Sequence, residues 1–344
     1  MGCCSSNTSS SCGKQNTDAS AKLLIEGDPT PATPENLKIK FDPIKMHSPT
    51  ALQGKFLRAE PTIENQIVLQ KLKEYGDFQY DLDDPEDRKL PLIGPFEFDN
   101  QEIYIGQWRN GLRHGKGRAI LPDGTYFEGL WKSNRRCGRG RMIYPEGDIY
   151  EGEWLNDKCH GFGKFISVDG STYTGDWYEG IQQGNGVECW NDGTKYEGKY
   201  FQGKKHGQGK MYFPDGSYYE GDFFDGVFQG RGVYVWADGM RYEGEWLKNQ
   251  KHGQGHVTWP DGRKYRGQYD QDVKHGFGIF EWNDGQRYEG SWVDGKQNGI
   301  GIFVDKKGTK RKGEWREGKR IRWLDRDDAM VAPGKLLEIS TQTV

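Results

Sequence analysis

The chain has 344 residues, a formal net charge of -3, only 33% hydrophobic residues, 50 glycines and 13% aromatics. Near-neutral charge removes the electrostatic case for a DNA or RNA partner, which needs a strongly basic stripe. So lean an aliphatic content, set against so many rings and glycines, points to a single layer of rings lying on bare backbone and away from a thick globular core.

The first six residues, Met1-Gly2-Cys3-Cys4-Ser5-Ser6, fit the pattern M-G-x-x-x-[ST]. With Met1 removed, Gly2 is the acceptor for N-myristoylation. One myristoyl chain holds a membrane only marginally, so a second signal is required. Lys14 is the only basic residue in the first twenty, which excludes a polybasic patch and leaves palmitoylation of Cys3 or Cys4, with Cys12 a weaker candidate. No signal-peptide core follows Met1 and no apolar run reaches membrane-spanning length. The expected location is therefore the cytoplasmic face of a membrane, such as the plasma membrane, cell cortex or ciliary membrane.

Residues 1–60 are rich in Ser, Thr, Asn and Pro and offer too little apolar surface to offset the entropy of ordering, so they read as a disordered, lipid-anchored tether. Residues 61–91 hold a short helix and a linker. Ile63, Ile67, Val68, Leu72 and Tyr75 fall near one side of a helical wheel, with Pro61 and Thr62 as the start and Gly76 as the stop. The apolar side predicts a helix that caps or packs on the region C-terminal to it; a partner-binding or membrane-surface helix is the alternative, and Glu64 and Glu74 weigh against the membrane version.

From Leu92 to Leu324 the chain is periodic. Tyr-x-Gly-x-Trp or a close variant begins at Tyr104, Phe127, Tyr150, Tyr173, Tyr196, Tyr219, Tyr242, Tyr265 and Tyr288, with a degenerate copy at Arg311. Each step is 23 residues, as in 104 to 127. Such a period marks a linear array. Half units at both ends hide the edges that a solenoid would otherwise expose. Residues 325–344 show no period and read as a flexible tail.

Within one unit, Tyr242-Glu243-Gly244-Glu245-Trp246 alternates, placing Tyr, Gly and Trp on one face and the two Glu on the other. Lys248-Asn249-Gln250-Lys251 reads as a turn. A second strand from Gly253 puts Gly253, Gly255, Val257 and Trp259 on a shared face, and Asp261-Gly262 turns the chain into the next unit. The glycines are seats for rings that lean over the backbone. The fold class is all-β: an elongated single-layer array of antiparallel β-hairpins, about twenty strands at ~4.8 Å and so about 95 Å long.

These residues resemble the MORN repeat (membrane occupation and recognition nexus), whose pattern is close to YEGEW-x-NG-x-x-HG-x-G followed by a DG turn. Cys137, Gln183, Gln229 and Asn298 replace its His, and Lys307 replaces the last Asp. The resemblance implies a scaffold in cortical, junctional, ciliary or cytoskeletal settings, or a module appended to enzymes such as lipid kinases, whose catalytic domain would need a few hundred further residues. It also implies a groove used for protein segments.

The chemistry of the units is that of a non-enzyme. His114, His160, His206, His252 and His275 recur at unit spacing, roughly 9 to 10 Å apart, too far for shared coordination of a metal, and read as turn residues. The cysteines lack CxxC spacing, and Gly-x-Gly lies inside strands, where it binds no dinucleotide. The carboxylates follow the repeat, and no catalytic pair stands out. No cofactor or metal is expected. The leading expectation is a membrane-anchored scaffold presenting Trp190, Trp236, Trp259 and Trp282 to a protein partner, cytoskeletal or ciliary in kind; a homodimer is left open. The alternative is direct binding of phosphoinositide headgroups, or regulation of a lipid kinase, through Lys204, Lys205, Arg135 and Arg136.

Overall fold

The computed structural model describes residues 53–80 and 85–324. They form one 22-stranded antiparallel sheet in which every strand pairs with its neighbours in sequence, a meander from Gly54–Phe56 to Lys319–Trp323. The sheet therefore starts before Leu92. Gly54–Phe56, inside the stretch read as tether, pairs with Leu92–Phe98.

Each unit is the predicted hairpin, with a shorter turn than expected. Strands Arg241–Leu247 and Gln250–Thr258 are joined by Lys248-Asn249 alone, at φ 51° and 66°. Two left-handed residues in succession make the hairpin turn whose twist matches the flanking strands. Gln250 and Lys251 already belong to the second strand, because an irregularity at Gly253 (φ 57°) and Gln254 absorbs two residues between the Glu245–His252 and Gly244–Gly255 pairs. The connection between units is wider. Trp259 donates its amide to the Arg263 carbonyl, Gly262 donates to the Trp259 carbonyl, and the Asp261 carboxylate accepts from the Arg263 amide. Trp259 thus sits in a loop and not at the end of a strand.

One face carries the core. Tyr242 is 0% exposed; its ring lies over Gly244 and Gly255, its hydroxyl donates to the Glu245 carbonyl at 2.8 Å, and Trp246 and Tyr269 meet it edge-on at 5.1 and 5.4 Å. The same contacts repeat along the array, as in Tyr104 with Trp131 and Tyr265 with Trp292. Edge-to-face pairs of this kind add stability beyond the area they bury.

The opposite face carries the helix Gln66–Tyr75. It starts later than Pro61 and Thr62, because Asn65 is the residue whose side chain accepts the Ile67 and Val68 amides, at 2.9 and 3.1 Å. It stops at Gly76 as predicted, with φ 64°. Val68 is fully buried against Tyr126, Ile143 and Ile149, so the helix packs on the array. Arg141 then fastens the following segment: it bonds to Glu128, Glu151 and the Gly76 carbonyl, beneath Tyr75 and Phe78.

Candidate partner-binding face

Tyrosine rings in a one-layer sheet would be open to water on their outer side. They are covered here because most connections between units send a side chain back across the core face: Phe98, at the end of its strand, and Leu121, Tyr144, Trp190, Phe213, Trp236, Trp259 and Trp282 all pack partly buried on the tyrosine–tryptophan core. In several units this loop ring is met by a cation fifteen residues later. The guanidinium of Arg113 lies 5.1 Å from Phe98, Lys205 Nζ 4.5 Å from Trp190, Lys251 Nζ 5.4 Å from Trp236 and Lys274 Nζ 5.4 Å from Trp259. The result is a long strip of half-exposed rings with ammonium or guanidinium groups tucked against them.

Burial lowers the pKa of the Lys251 ammonium, and Asp272, 3.8 Å away, only partly offsets this. The phenols beneath are held protonated. Burial raises Tyr200 well above the ordinary phenol range, and Glu188, accepting its hydroxyl at 2.8 Å, adds to the effect.

Glu188 breaks the repeat. Its column runs Ala119, Met142, Phe165, Glu188, Met211, Tyr234, Val257, Phe280 and Phe303, so it is the one acid in an apolar series. It is only 4% exposed and pairs with Lys205 at 3.1 Å. A buried ion pair costs desolvation that a hydrophobic pair would avoid, which makes this a candidate site more than a source of stability. Two buried donors nearby in sequence, Gln182 Nε2 and Trp190 Nε1, have no hydrogen-bond partner among the described residues. In the loop row, Ser167 stands between Tyr144 and Trp190, so the covering is thinnest in this part of the strip. Glu188 is a single carboxylate paired with a lysine and a phenol, so it departs from the repeat without forming a carboxylate pair; its column, Ala119 to Phe303, carries the signal that finds it.

Trp190, Trp236, Trp259 and Trp282 therefore share one face and one row. The four cations considered for lipid headgroups do not come together. Lys204 and Lys205 point to opposite faces, as do Arg135 and Arg136, and the two pairs stand three units apart. Lys204 is bound to Asp225 at 2.5 Å, Lys205 to Glu188, and Arg136 to Asp157 at 3.3 Å beneath Trp154. The five histidines sit in the strands, next to the bulge, and not in turns; His206, for example, lies between Phe201 and Phe224 on the outer face. Gly2, Cys3 and Cys4 lie outside the described residues.

The MORN-repeat family model matches nine consecutive stretches, beginning at 104–126 and ending at 288–310. The chain belongs to the MORN-repeat family. Among curated proteins none matches the sequence. Solved structures with some likeness to this MORN array include the TCP10 domain of Danio rerio CPAP in complex with a peptide of Danio rerio STIL. It is 15% identical, with a TM-score of 0.39, and the match covers 62% of this chain and 96% of that one. Another is the SAS-4 (dCPAP) TCP domain of Drosophila melanogaster with a proline-rich motif of Ana2, 18% identical at a TM-score of 0.29, covering 44% and 81%. At these scores the likeness carries no functional argument.

Proposed function

We propose that this MORN protein is a non-catalytic scaffold that holds a protein segment on its core face while acyl chains on Gly2 and Cys3 or Cys4 keep it at the cytoplasmic side of a membrane. The observation that carries the reading is the strip itself. Half-buried Trp190, Trp236, Trp259 and Trp282 lie in register with Lys205, Lys251 and Lys274. A row of partly exposed aromatic anchors is what a peptide with apolar side chains would occupy. The headgroup reading is less favoured, because three of its four cations are already paired with acids.

Tagged full-length protein tests both halves in cells. Trp259→Leu/Trp282→Leu should stay in the membrane fraction and lose its co-purifying partners, whereas Gly2→Ala should become soluble and keep them. Membrane retention of Gly2→Ala would reject acylation as the anchor, and an unchanged partner set for the tryptophan variant would reject the strip as the binding surface.

A further inference from the structure

The outer face, at the edge where the hairpins turn, carries a row of apolar side chains that nothing in the proposed function uses. The last residue of the first strand in five consecutive units is Leu155, Tyr178, Phe201, Phe224 and Leu247, exposed by 42, 59, 48, 58 and 39%. Lys132 precedes this ridge in its column and Asp270 follows it, so the ridge has two ends. Single exposed apolar residues are ordinary on a soluble protein, but a contiguous ridge marks an interaction surface. Two residues earlier on the same strands, and on the same face, stand Glu153, Asp176, Lys199, Asp222 and Glu245. Backbone amides pin three of the acids: Asp176 accepts from Asn185 at 2.8 Å, Asp222 from Arg231 at 2.9 Å and Glu245 from Gln254 at 3.1 Å. Among the described residues none of the four acids is closed by an ion pair, whereas acids at the neighbouring turns are, Glu179 by Lys158 at 3.1 Å and Asp225 by Lys204 at 2.5 Å. Across the ladder Glu153 and Glu245 face Arg139 and Arg231, but Asp176 and Asp222 face the uncharged Phe162 and Gln208. The two inner acids are therefore the least compensated.

We propose that the ridge and its acid row bind a basic, proline-rich segment of another protein, lying across the strands in the polyproline II conformation. Pitch selects the conformation. The teeth of the ridge recur every two strands, ~9.6 Å, and a polyproline II helix returns a side chain to the same edge every three residues, ~9.3 Å, so the two drift apart by only about 1.2 Å over four steps. An α-helix repeats a face every seven residues, ~10.5 Å, and drifts by roughly 3.6 Å over the same length; a β-strand returns to one face every ~6.7 Å and misses the next tooth. Proline rings on Tyr178, Phe201 and Phe224 are the contacts that aromatic grooves make with such segments, whose backbone is already ordered before binding. Charge selects the residue beside each proline. The acid row runs parallel to the ridge, about 6.7 Å away along each strand, within reach of a neighbouring edge of the same three-sided helix. Lysine or arginine on that edge pairs with Asp176 and Asp222, and Lys199 between them calls for an uncharged residue. Four steps span on the order of 38 Å, which about thirteen residues of polyproline II cover.

Fluorescence anisotropy of a labelled synthetic peptide with the full-length, unacylated chain decides the matter. The peptide consists of two Pro-Lys-Pro triplets, one Pro-Ser-Pro triplet and two further Pro-Lys-Pro triplets. It should bind with a dissociation constant of about 10 to 100 µM, and the same peptide with glycine for every proline should bind ~10-fold more weakly or worse. Glutamate in place of lysine should abolish binding. Phe201→Ser/Phe224→Ser should raise the constant ~10-fold or more, and because both rings are exposed its circular dichroism and melting curve should stay unchanged. Asp176→Asn/Asp222→Asn, which keeps an acceptor for the two amides, should weaken binding and flatten its salt dependence. Trp259→Leu/Trp282→Leu, on the core face, should leave peptide binding intact, which separates this site from the strip of the proposed function. Absence of binding overturns the proposal, as does equal binding of the glycine peptide or a constant unmoved by Phe201→Ser/Phe224→Ser.

Discussion

Replacing Gly244 by alanine tests whether the strand glycines are seats for rings. Its backbone is ordinary extended strand, so conformational freedom gives no reason for glycine there. A Cβ, however, would stand 2.5 Å from the Tyr242 hydroxyl oxygen and 2.6 Å from the Cα of Gly255. The ring has nowhere to go, with Trp246 and Tyr269 at 5.1 and 5.4 Å. Overpacking costs about 1 to 3 kcal/mol and the lost bond to the Glu245 carbonyl about 1 kcal/mol more, for a total of about 2 to 4 kcal/mol. Gly285 is the control: its φ is +84° but nothing lies within 4 Å of a Cβ, so Gly285→Ala incurs only backbone strain, about 1 to 2 kcal/mol. An array does not unfold all at once, so the readout is hydrogen exchange by segment. Gly244→Ala should lower the opening free energy across residues 241–269 by the larger amount, and Gly285→Ala should act only at its own loop. An equal or larger effect from Gly285→Ala would refute the reasoning.

The Glu188 pair should behave as a unit. Glu188→Leu alone leaves Lys205 and the Tyr200 hydroxyl buried and should cost about 3 to 5 kcal/mol, and adding Lys205→Met should recover most of it; local exchange of residues 172–212 is the measure. Asn65→Ala removes the acceptor for two amides and should cost the helix about 1 kcal/mol, seen as faster exchange in residues 66–75. The pH dependence lies on the alkaline side. Burial raises the folded-state pKa of the core phenols above the unfolded value of 10.0, to about 12 for Tyr288. The unfolded chain therefore releases its protons first. That stability is complete below pH 10 and is lost as pH climbs through the folded values, for Tyr288 between 10 and about 12. Absorbance titration should show phenols that ionise together with unfolding; free titration near pH 10 in the folded protein would contradict it.

The array and its ring-bearing face were legible because side chains alternate strictly in a strand and the 23-residue step keeps every column in register. Turn lengths were not, since the bulge at Gly253 and Gln254 hides two residues and makes Gln250 and Lys251 look like loop. Lys204 and Lys205 are neighbours in sequence and opposites in space for the same period-two reason, which splits a pair that reads as one basic patch. The seat of the helix is written in two columns, Ile120, Ile143 and Ile166 in one, Tyr126 and Ile149 in the other, the second turning to Lys195 and Arg241 farther along where no helix lies. The covering of the core by loop rings was the least visible feature. It depends on side chains reaching across the sheet to partners fifteen residues away, which no alternation pattern encodes.

Photo-crosslinking places the partner directly. A benzophenone-bearing residue at Phe213 or Trp282, on the core face, is compared in cells with the same group at Phe277, exposed on the outer face. The account predicts adducts with a protein partner from Phe213 and Trp282 and none from Phe277; adducts from Phe277 alone would contradict it.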